Sequence, residues 1–287
     1  MNKPLPRCIA ATALLYLAFM PWATHAWEGK TLKVCADPIN PPYSTQKGEG
    51  FENKIAEMIG TTLGKKVEYT WFPQRIGFIR NTLKAQLPDS DEYKCDLIMG
   101  LPTGAEMVAT TEPYYRSTYA LVVAKKRGFD DIKTPEDLGN LPAERKAKLK
   151  LSMFDGSPAT TWLLNHHLVE HAIPYQSMGG DAAINTAMTL EQDMKAGKLD
   201  MAIVWGPIAG YLQQRSAPGS VELIPMQSEP GVRFEFPISM GVRIPDKDRK
   251  DELNELIRQK AGAIEKILRE FHVPLVDKEG NLLKTVK

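Results

Sequence analysis

The segment His167–His171 has the sequence HLVEH, in which residue types and spacing are typical of metal chemistry. In an H-x-x-E-H pattern on a helix, two histidines face one metal ion and the glutamate acts as a base. Such chemistry would make the chain a zinc hydrolase carried by His167, Glu170 and His171. A zinc site needs at least three protein ligands, and no third ligand is identifiable in the sequence. A polar, solvated helix face is the simpler interpretation, and we predict no bound metal.

A second group of residues suits binding rather than catalysis. Tyr114, Tyr115 and Arg116 are of the types enriched in binding hot spots, because they bury area and keep a polar tip. Trp205 and Gly206 occur where a buried strand meets a helix, and ligands of α/β folds commonly bind there. Packing within the sheet and ordinary turn chemistry are the alternatives. Nucleophile-elbow, P-loop and dinucleotide-binding motifs are absent from the sequence, so we predict a protein that is not an enzyme and has no cofactor.

Short apolar runs alternate with amphipathic stretches along the chain. Strands are predicted at TLKVCA, VEYTWF and CDLIMG, with helices between them at FENKIAEMIGTTLG and RIGFIRNTLKAQL. This order favours parallel pairing with right-handed crossovers. A long strand follows from Ser117, and the alternation starts again after Lys126 with KLSMF, SPATTWLLNHHLVEH, DMAIVWG and PIAGYLQQR. We therefore predict two α/β modules, with the last strand, FPISMGVRI, and the last long helix returning to the first module.

Residues 1–26 have the composition of a secretory signal peptide. Lys3 and Arg7 precede an apolar run that begins at Cys8 and is too short to span a bilayer. We expect cleavage before Trp27 and a periplasmic mature chain, in which no apolar run approaches the roughly 20 residues of a spanning helix. The formal net charge of +1 gives no indication of nucleic-acid binding.

Cys35 and Cys95 are the cysteines that remain after this cleavage. In an oxidising compartment two such thiols are more often joined than free, and their spacing does not suggest zinc. Both lie on predicted strands, so a disulfide requires that those strands be neighbours in the sheet. The sequence alone leaves the pairing open.

Seven segments, in this order, resemble bacterial extracellular solute-binding proteins of family 3, the polar amino-acid type. They are LKVCADPINPPYS, GFENKIAEMIGTTLG, CDLIMG, TEPYYRSTYALVV, KTPEDLGNL, GKLDMAIVWGP and FPISMGVR. The resemblance implies a periplasmic binding protein-like α/β fold, with two α/β lobes joined by a two-crossing hinge. It implies that lobe 1 comprises residues 27–124 and 231–287, that lobe 2 comprises residues 125–230, and that the hinge lies around Ala124 and Gly231.

The cleft between the lobes is expected at the carboxyl ends of the strands, where loops and helix N-termini offer backbone amides. In amino-acid-binding members of the family, an arginine holds the ligand carboxylate and an aspartate holds its ammonium group. Here Gly104 or Glu106 stands where the arginine would be, and Gly206 stands in place of the aspartate. We therefore expect a wider and less polar cleft that does not hold a free amino acid.

Six segments are similar to a narrower group, the J proteins encoded beside periplasmic quinoprotein methanol dehydrogenases (MxaJ and XoxJ type). They are CADPINPPYS, GFENKIAE, WFPQRIGFIRNTL, PYYRSTYALV, FDGSPAT and IVWGPIAGYL. This resemblance implies a periplasmic accessory protein in methanol oxidation, with a PQQ-dependent methanol dehydrogenase as its protein partner. It implies a role in assembly or activation of the dehydrogenase. The alternative is a receptor that delivers a small, non-zwitterionic solute to a transporter.

We expect the cleft to hold a small ligand or a peptide segment of the partner protein. The residues predicted to line it lie on loops, strands and first helical turns near the strand ends. They are Asp37, Asn40, Tyr43, Gln74, Arg75, Phe78, Tyr114, Tyr115, Arg116, Ser157, Thr160, Trp205 and Gly206.

Overall fold

The computed structural model describes residue 27, residues 29–176 and residues 185–284. The predicted signal peptide, residues 1–26, lies outside these residues. The strands are β1 (Thr31–Ala36), β2 (Ile39–Asn40), β3 (Ser44–Thr45), β4 (Lys66–Trp71), β5 (Leu97–Pro102), β6 (Ala109–Ala124), β7 (Leu151–Phe154), β8 (Ala172–Tyr175), β9 (Met201–Trp205), β10 (Val221–Pro225) and β11 (Glu235–Val242). The helices are α1 (Phe51–Thr62), α2 (Phe78–Asn81), α3 (Pro135–Gly139), α4 (Ala143–Lys146), α5 (Pro158–Asn165), α6 (Thr186–Lys195), α7 (Gly206–Gln214) and α8 (Lys247–Glu270). Within the described ranges, no helix has both the length and the apolar content needed to cross a membrane.

The main sheet has the strand order β4-β1-β5-β11-β6-β9-β7-β8, and β10 pairs with β6. β1 pairs in parallel with β4 and β5, and β7 pairs in parallel with β8 and β9. These are the parallel groups that the alternation of strands and helices predicts. β11 pairs antiparallel with β5 and β6, so the last strand of the chain joins the N-terminal group.

Strand β6 belongs to both groups of strands. Its residues up to Thr118 pair with β11, whereas its residues from Tyr119 onward pair with β9 and β10. The sequence predicted this strand only from Ser117, because the residues before it are largely polar and include Pro113. The change of partners therefore falls earlier in the chain than the predicted hinge residue Ala124.

Apolar clusters pack on each side of this change of partners. In the first, the faces of α1 and α8 pack against β1, β5 and β11, and Phe51, Ile55 and Ile59 of α1 are buried as predicted. In another, Trp162 of α5 packs with Phe234 and with strands β7 and β9. The burial of these apolar faces positions the helix N-termini near the carboxyl ends of the strands.

The predicted helix RIGFIRNTLKAQL is wrong in length, because α2 has a single turn. Gly77, just before it, has a φ of 90°, a conformation that favours glycine and separates the helix from Arg75. Thr82 is the C-cap of this helix, and its hydroxyl donates to the Phe78 carbonyl oxygen at 2.6 Å. Helical periodicity alone did not reveal these two boundaries.

The predicted helix SPATTWLLNHHLVEH is also too long. α5 ends at Asn165, His167 has a φ of 53°, and Val169–His171 forms a 3₁₀ turn. His167 and His171 therefore do not lie one turn apart on a helix, as the metal pattern requires. The described residues contain no cluster of three metal-ligating side chains.

Cys35 and Cys95 form a disulfide, with their Cα atoms 5.4 Å apart. β1 and β5 are parallel neighbours, which satisfies the condition that the sequence left open. The bond lies in an apolar cluster with Phe78 and Leu83, where both sulfur-bearing residues are buried.

Candidate functional site

A cavity of about 500 Å³ lies at the carboxyl ends of the strands. The N-terminal wall of the cavity comprises lining residues from 37–52, 73–75 and 100–102, which follow or end β1, β4 and β5. The opposite wall comprises lining residues from 154–157, 185–187 and 204–208, near the ends of β7 and β9 and the start of α6. Strands β6 and β11, which run between the two walls in the sheet, contribute Tyr115, Tyr119, Phe236 and Ile238.

The N-terminal wall is held together by the Asp37 carboxylate. Its Oδ1 accepts from the Ile39 backbone N–H at 2.7 Å, and its Oδ2 accepts from the Gln74 backbone N–H at 2.6 Å. Because both oxygens are used, Asp37 ties the loop after β1 to the loop after β4. Asn40 reinforces this tie, since its Nδ2 donates to the Gln74 side-chain oxygen at 2.8 Å.

Among the described residues, a hydrogen bond between Asn185 and Asn40 joins the two walls directly. The Asn185 amide Nδ2 donates to Asn40 Oδ1 at 2.8 Å. Asn185 is also the N-cap of α6, where its Oδ1 accepts from the backbone N–H groups of Ala187 and Met188. The cap fixes the orientation of the side chain, so its NH₂ group points at the N-terminal wall.

Aromatic side chains dominate the lining. They are Tyr43, Tyr115, Tyr119, Phe154, Trp205 and Phe236. Trp205 ends β9 and lies opposite Tyr119 in the sheet, and the centroids of these two rings are 5.4 Å apart. The centroid of the Trp205 ring is 6.0 Å from that of Phe236. The rings are thus fixed by one another and present an apolar surface.

The carboxyl group of Glu52, in the first turn of α1, is part of the same cavity. The Tyr114 hydroxyl accepts from the Gly100 backbone N–H at 3.1 Å and lies near the Glu52 carboxyl. Burial raises the pKa of Glu52 to about 8, and the nearby Tyr114 hydroxyl opposes this rise. Burial also raises the pKa of Tyr43 and of Tyr115, so these phenols stay uncharged.

No family model matches the sequence. The crystal structure of the periplasmic binding protein XoxJ from Methylobacterium extorquens AM1 is 35% identical, with a TM-score of 0.66 over 86% of this chain and 100% of that chain. The chain belongs to the XoxJ/MxaJ family of periplasmic binding proteins. MxaJ from Methylophaga aminisulfidivorans MPT is 27% identical, with a TM-score of 0.68 over 85% of this chain and 100% of that chain. Protein MoxJ of Paracoccus denitrificans is 27% identical over 282 residues, which are 94% of this chain and 96% of that protein.

Membership of the XoxJ/MxaJ family confirms the predicted periplasmic binding protein-like α/β fold. It also confirms the resemblance on which the prediction rested. The crystallised XoxJ is a periplasmic binding protein, which indicates a periplasmic location for its relatives.

Of the residues predicted to line the cleft, eight are in the cavity wall of this XoxJ/MxaJ family member. They are Asp37, Asn40, Tyr43, Gln74, Arg75, Tyr115, Ser157 and Trp205. Arg75 is the one basic residue among the described lining residues, and it is exposed to solvent. The Ser157 hydroxyl is buried and has no hydrogen-bond partner within the described part of the chain.

Four other predicted residues are not in the cavity wall. Phe78 packs behind the rim with Phe72, and the Thr160 hydroxyl donates to the Phe154 carbonyl oxygen at 2.6 Å. Tyr114 supports Glu52 from below the surface of the cavity. Arg116 faces a separate groove between β6, α8 and residues 275–283. Strand β6 is irregular here, because Ile238 pairs with Tyr115 whereas the next residue, Ser239, pairs with Pro113.

Gly206 does not line the cavity, and its lack of a side chain allows close packing instead. A Cβ atom there would lie 2.4 Å from Ser117 Oγ, 2.5 Å from the Thr118 carbonyl oxygen and 2.7 Å from Pro274 Cγ. Glycine therefore lets the start of α7 approach β6 closely. Gly104 and Glu106, which stand in place of the amino-acid-binding arginine, lie in the turn after β5 and also outside the described lining.

Sequence reasoning missed Glu52, Phe154, Asn185, Ile208 and Phe236. Glu52 directly follows the buried Phe51 in the first turn of α1, after the loop from β1, and that position at a strand end was the available signal. Phe236 begins a strand whose pairing in the sheet is not evident from local sequence. The expectation of a cleft without charged contacts therefore overlooked one buried carboxyl group.

Proposed function

We propose that this chain is a periplasmic accessory protein of a PQQ-dependent methanol dehydrogenase system, and that it assists assembly or activation of the dehydrogenase. The observation that carries this proposal is the aromatic cavity of about 500 Å³, in a chain of the XoxJ/MxaJ family. The proposed occupant is a segment of the dehydrogenase or a small factor that the dehydrogenase needs. Aromatic rings with fixed orientations suit such a role, because they bury large area at little entropic loss.

We further propose that residues 27–124 with 231–287 and residues 125–230 act as two lobes that close on the occupant. Separate apolar clusters around Phe51 and around Trp162 support two lobes, and the second cluster also takes in Leu121 and Phe234 next to the proposed hinge. The crossings are β6 and the segment between β10 and β11, where the Tyr119 backbone N–H donates to the Phe234 carbonyl oxygen. Cleavage of residues 1–26 on export is part of the same proposal.

The experiment that tests the accessory role is co-purification of the tagged protein with the dehydrogenase from periplasmic extracts. We expect the Trp205→Ala variant to lose at least about tenfold in affinity for the dehydrogenase, as interface hot spots do. Trp71→Ala is the matched control, because Trp71 stacks on Tyr69 away from the described cavity lining. Equal association of wild type and Trp205→Ala would contradict a role for the cavity.

The cavity volume favours one second candidate, a receptor that delivers a small solute to a transporter. A volume of about 500 Å³ falls within the range of small-molecule sites. In that case, thermal unfolding of the protein shifts upward with a small solute in the absence of dehydrogenase. Association with the dehydrogenase would then be absent in wild type and in the variants.

A further inference from the structure

The Glu52 carboxyl group has a position that the local structure leaves little freedom to change. The side chain is 8% exposed and reaches the cavity from the first turn of α1. Gly100 lies against it with a φ of 70°, and a Cβ atom at that residue would lie 2.2 Å from Glu52 Oε1. The Tyr114 hydroxyl lies near the carboxyl and is itself positioned by the Gly100 backbone N–H. The structure thus makes room for a buried acid and orients it.

Within the described part of the chain, no positive charge compensates this acid. The titratable groups that face it from the loop after β1, from β4 and from β6 are phenols: Tyr43, Tyr69, Tyr114 and Tyr115. Among the described residues, no basic side chain forms an ion pair with Glu52. Asp37 and Arg75 are the other charged residues of the lining, and the oxygens of Asp37 already accept backbone hydrogen bonds. A buried carboxylate without a counter-charge is costly, so a ligand that brings a positive charge removes this penalty.

The aromatic lining adds a second attraction for cations. Faces of tyrosine and tryptophan rings attract positive charge, most strongly where water is excluded. Tyr119 and Trp205 present such rings on the same cavity, and these two rings pack against each other with centroids 5.4 Å apart. A carboxylate or phosphate ligand would instead meet the acid and the electron-rich faces of the rings.

We propose that the cavity binds an alkylammonium group, with Glu52 as the counter-ion that recognises it. The inference rests on the proposed function of this cavity as a binding site and names the chemistry of its occupant. Two sources offer the same group: a free alkylamine and the side chain of a lysine on a protein partner. Neither source needs the carboxylate contact that amino-acid receptors provide.

The first test is calorimetric titration of the mature protein at pH 7 with n-butylammonium and with n-butanol as the neutral isostere. We expect butylammonium to bind at least about tenfold more tightly, because the buried ion pair is made only with the cation. Glu52 is largely protonated in the free protein at this pH, so binding releases close to one proton, measured in buffers of different ionisation enthalpy. Equal affinities for the two probes would overturn the proposal.

The second test compares variants of the acid. Glu52→Gln keeps an acceptor for Tyr114 but removes the negative charge, and we expect it to weaken butylammonium binding at least about tenfold and to abolish proton release. Glu49→Gln is the matched control, because Glu49 is exposed just before α1 and outside the described lining. Both variants are first shown to be folded by circular dichroism. Unchanged affinity and unchanged proton release in Glu52→Gln would remove Glu52 from recognition.

A third arm distinguishes the two sources of the ammonium group. N-acetyl-lysine amide presents a lysine side chain within a peptide backbone, and its Nε-acetylated form lacks the charge. Tighter binding of N-acetyl-lysine amide than of butylammonium supports a lysine of a protein partner, whereas the reverse order supports a free amine.

Failure of the ammonium proposal is distinct from failure of the proposed function. If ammonium probes do not bind but Trp205→Ala still abolishes association with the dehydrogenase, the accessory role stands and the ammonium proposal falls. If ammonium probes bind through Glu52 and no dehydrogenase associates, the ammonium proposal stands without the accessory role.

Discussion

The side-chain amide of Asn185 donates to Oδ1 of Asn40 at 2.8 Å and so joins the two walls of the cavity. Asn40 donates in turn to Gln74, which extends the connection to the loop after β4. The side-chain amides of Asn185 and Asn40 are each oriented by a second hydrogen bond. This contact between Asn185 and Asn40 can therefore be removed without altering the aromatic lining.

Asn185→Asp is expected to open the cavity while leaving α6 intact. Aspartate keeps the oxygen that caps Ala187 and Met188, and its charge is favourable at a helix N-terminus. It lacks the NH₂ group that Asn40 needs, and its oxygen would repel Asn40 Oδ1. We expect an increased radius of gyration by small-angle X-ray scattering, with a change in unfolding free energy below about 1 kcal/mol. Asn140→Asp, an exposed position with the same chemical change, should leave the radius of gyration as in wild type.

The stability of the protein should depend on pH through Glu52. The pKa of this carboxyl is about 8 in the folded chain and 4.5 as an ordinary value, so the folded chain binds the proton more tightly. Its stabilising contribution is complete below about pH 4.5 and is lost as the pH rises to about 8. Across this window, the unfolding free energy of wild type should fall relative to that of Glu52→Gln, by about 1.4 kcal/mol per pH unit at most. Urea denaturation of both proteins at several pH values measures the difference, and a difference that does not change with pH would contradict the burial of this acid.

Gly206→Ala should destabilise the protein, whereas Gly262→Ala should not. The new Cβ at residue 206 would meet Ser117, the backbone of Thr118 and Pro274, and such overpacking typically costs about 1–3 kcal/mol. Gly262 lies in the interior of α8, where a Cβ would meet nothing within 4 Å. Alanine there should stabilise the helix by about 0.5–1 kcal/mol. Thermal unfolding of the two variants gives the comparison, and similar melting temperatures would contradict the close approach of α7 to β6.

Replacing both Cys35 and Cys95 with serine should lower the unfolding free energy by about 4 kcal/mol in the loop-closure account. The bond closes a long loop, because its cysteines are 60 residues apart in sequence. Their side chains are 2% and 0% exposed, so a reductant should act on the unfolded protein rather than on the folded one. Urea denaturation with and without dithiothreitol measures the effect. The double-serine variant is its own control, since dithiothreitol should not change its midpoint.

Sequence patterns predicted most of the sheet because strands of the core are continuous apolar runs. DMAIVWG contains β9 and KLSMF contains β7 for this reason. They predicted α2 and α5 poorly, because a glycine with positive φ and a residue such as His167 in the left-handed region interrupt the helical periodicity. The location of the cavity followed from the parallel strand order. Its full lining did not, since Phe236 and Asn185 reach the cavity through long-range contacts that local sequence does not encode.

Glu52 shows why a buried polar group is difficult to find from one sequence. In the sequence, Glu52 looks like an ordinary acidic residue in the first turn of a helix, where a negative charge is favourable. Its burial depends on Gly100 of β5 and Tyr114 of β6, which are distant from it in sequence. Only their arrangement in space distinguishes it from a solvated glutamate such as Glu49.

Strand β11 lies between β5 and β6, although β5 and β6 follow one another along the chain. During synthesis, the facing edges of these two strands stay open until residues 235–242 have been added to the sheet. Open strand edges pair readily with other chains, and contacts between distant parts of a sequence form slowly. The N-terminal portion of this protein is therefore most prone to aggregate while its sheet still lacks the strand that the C-terminal portion supplies.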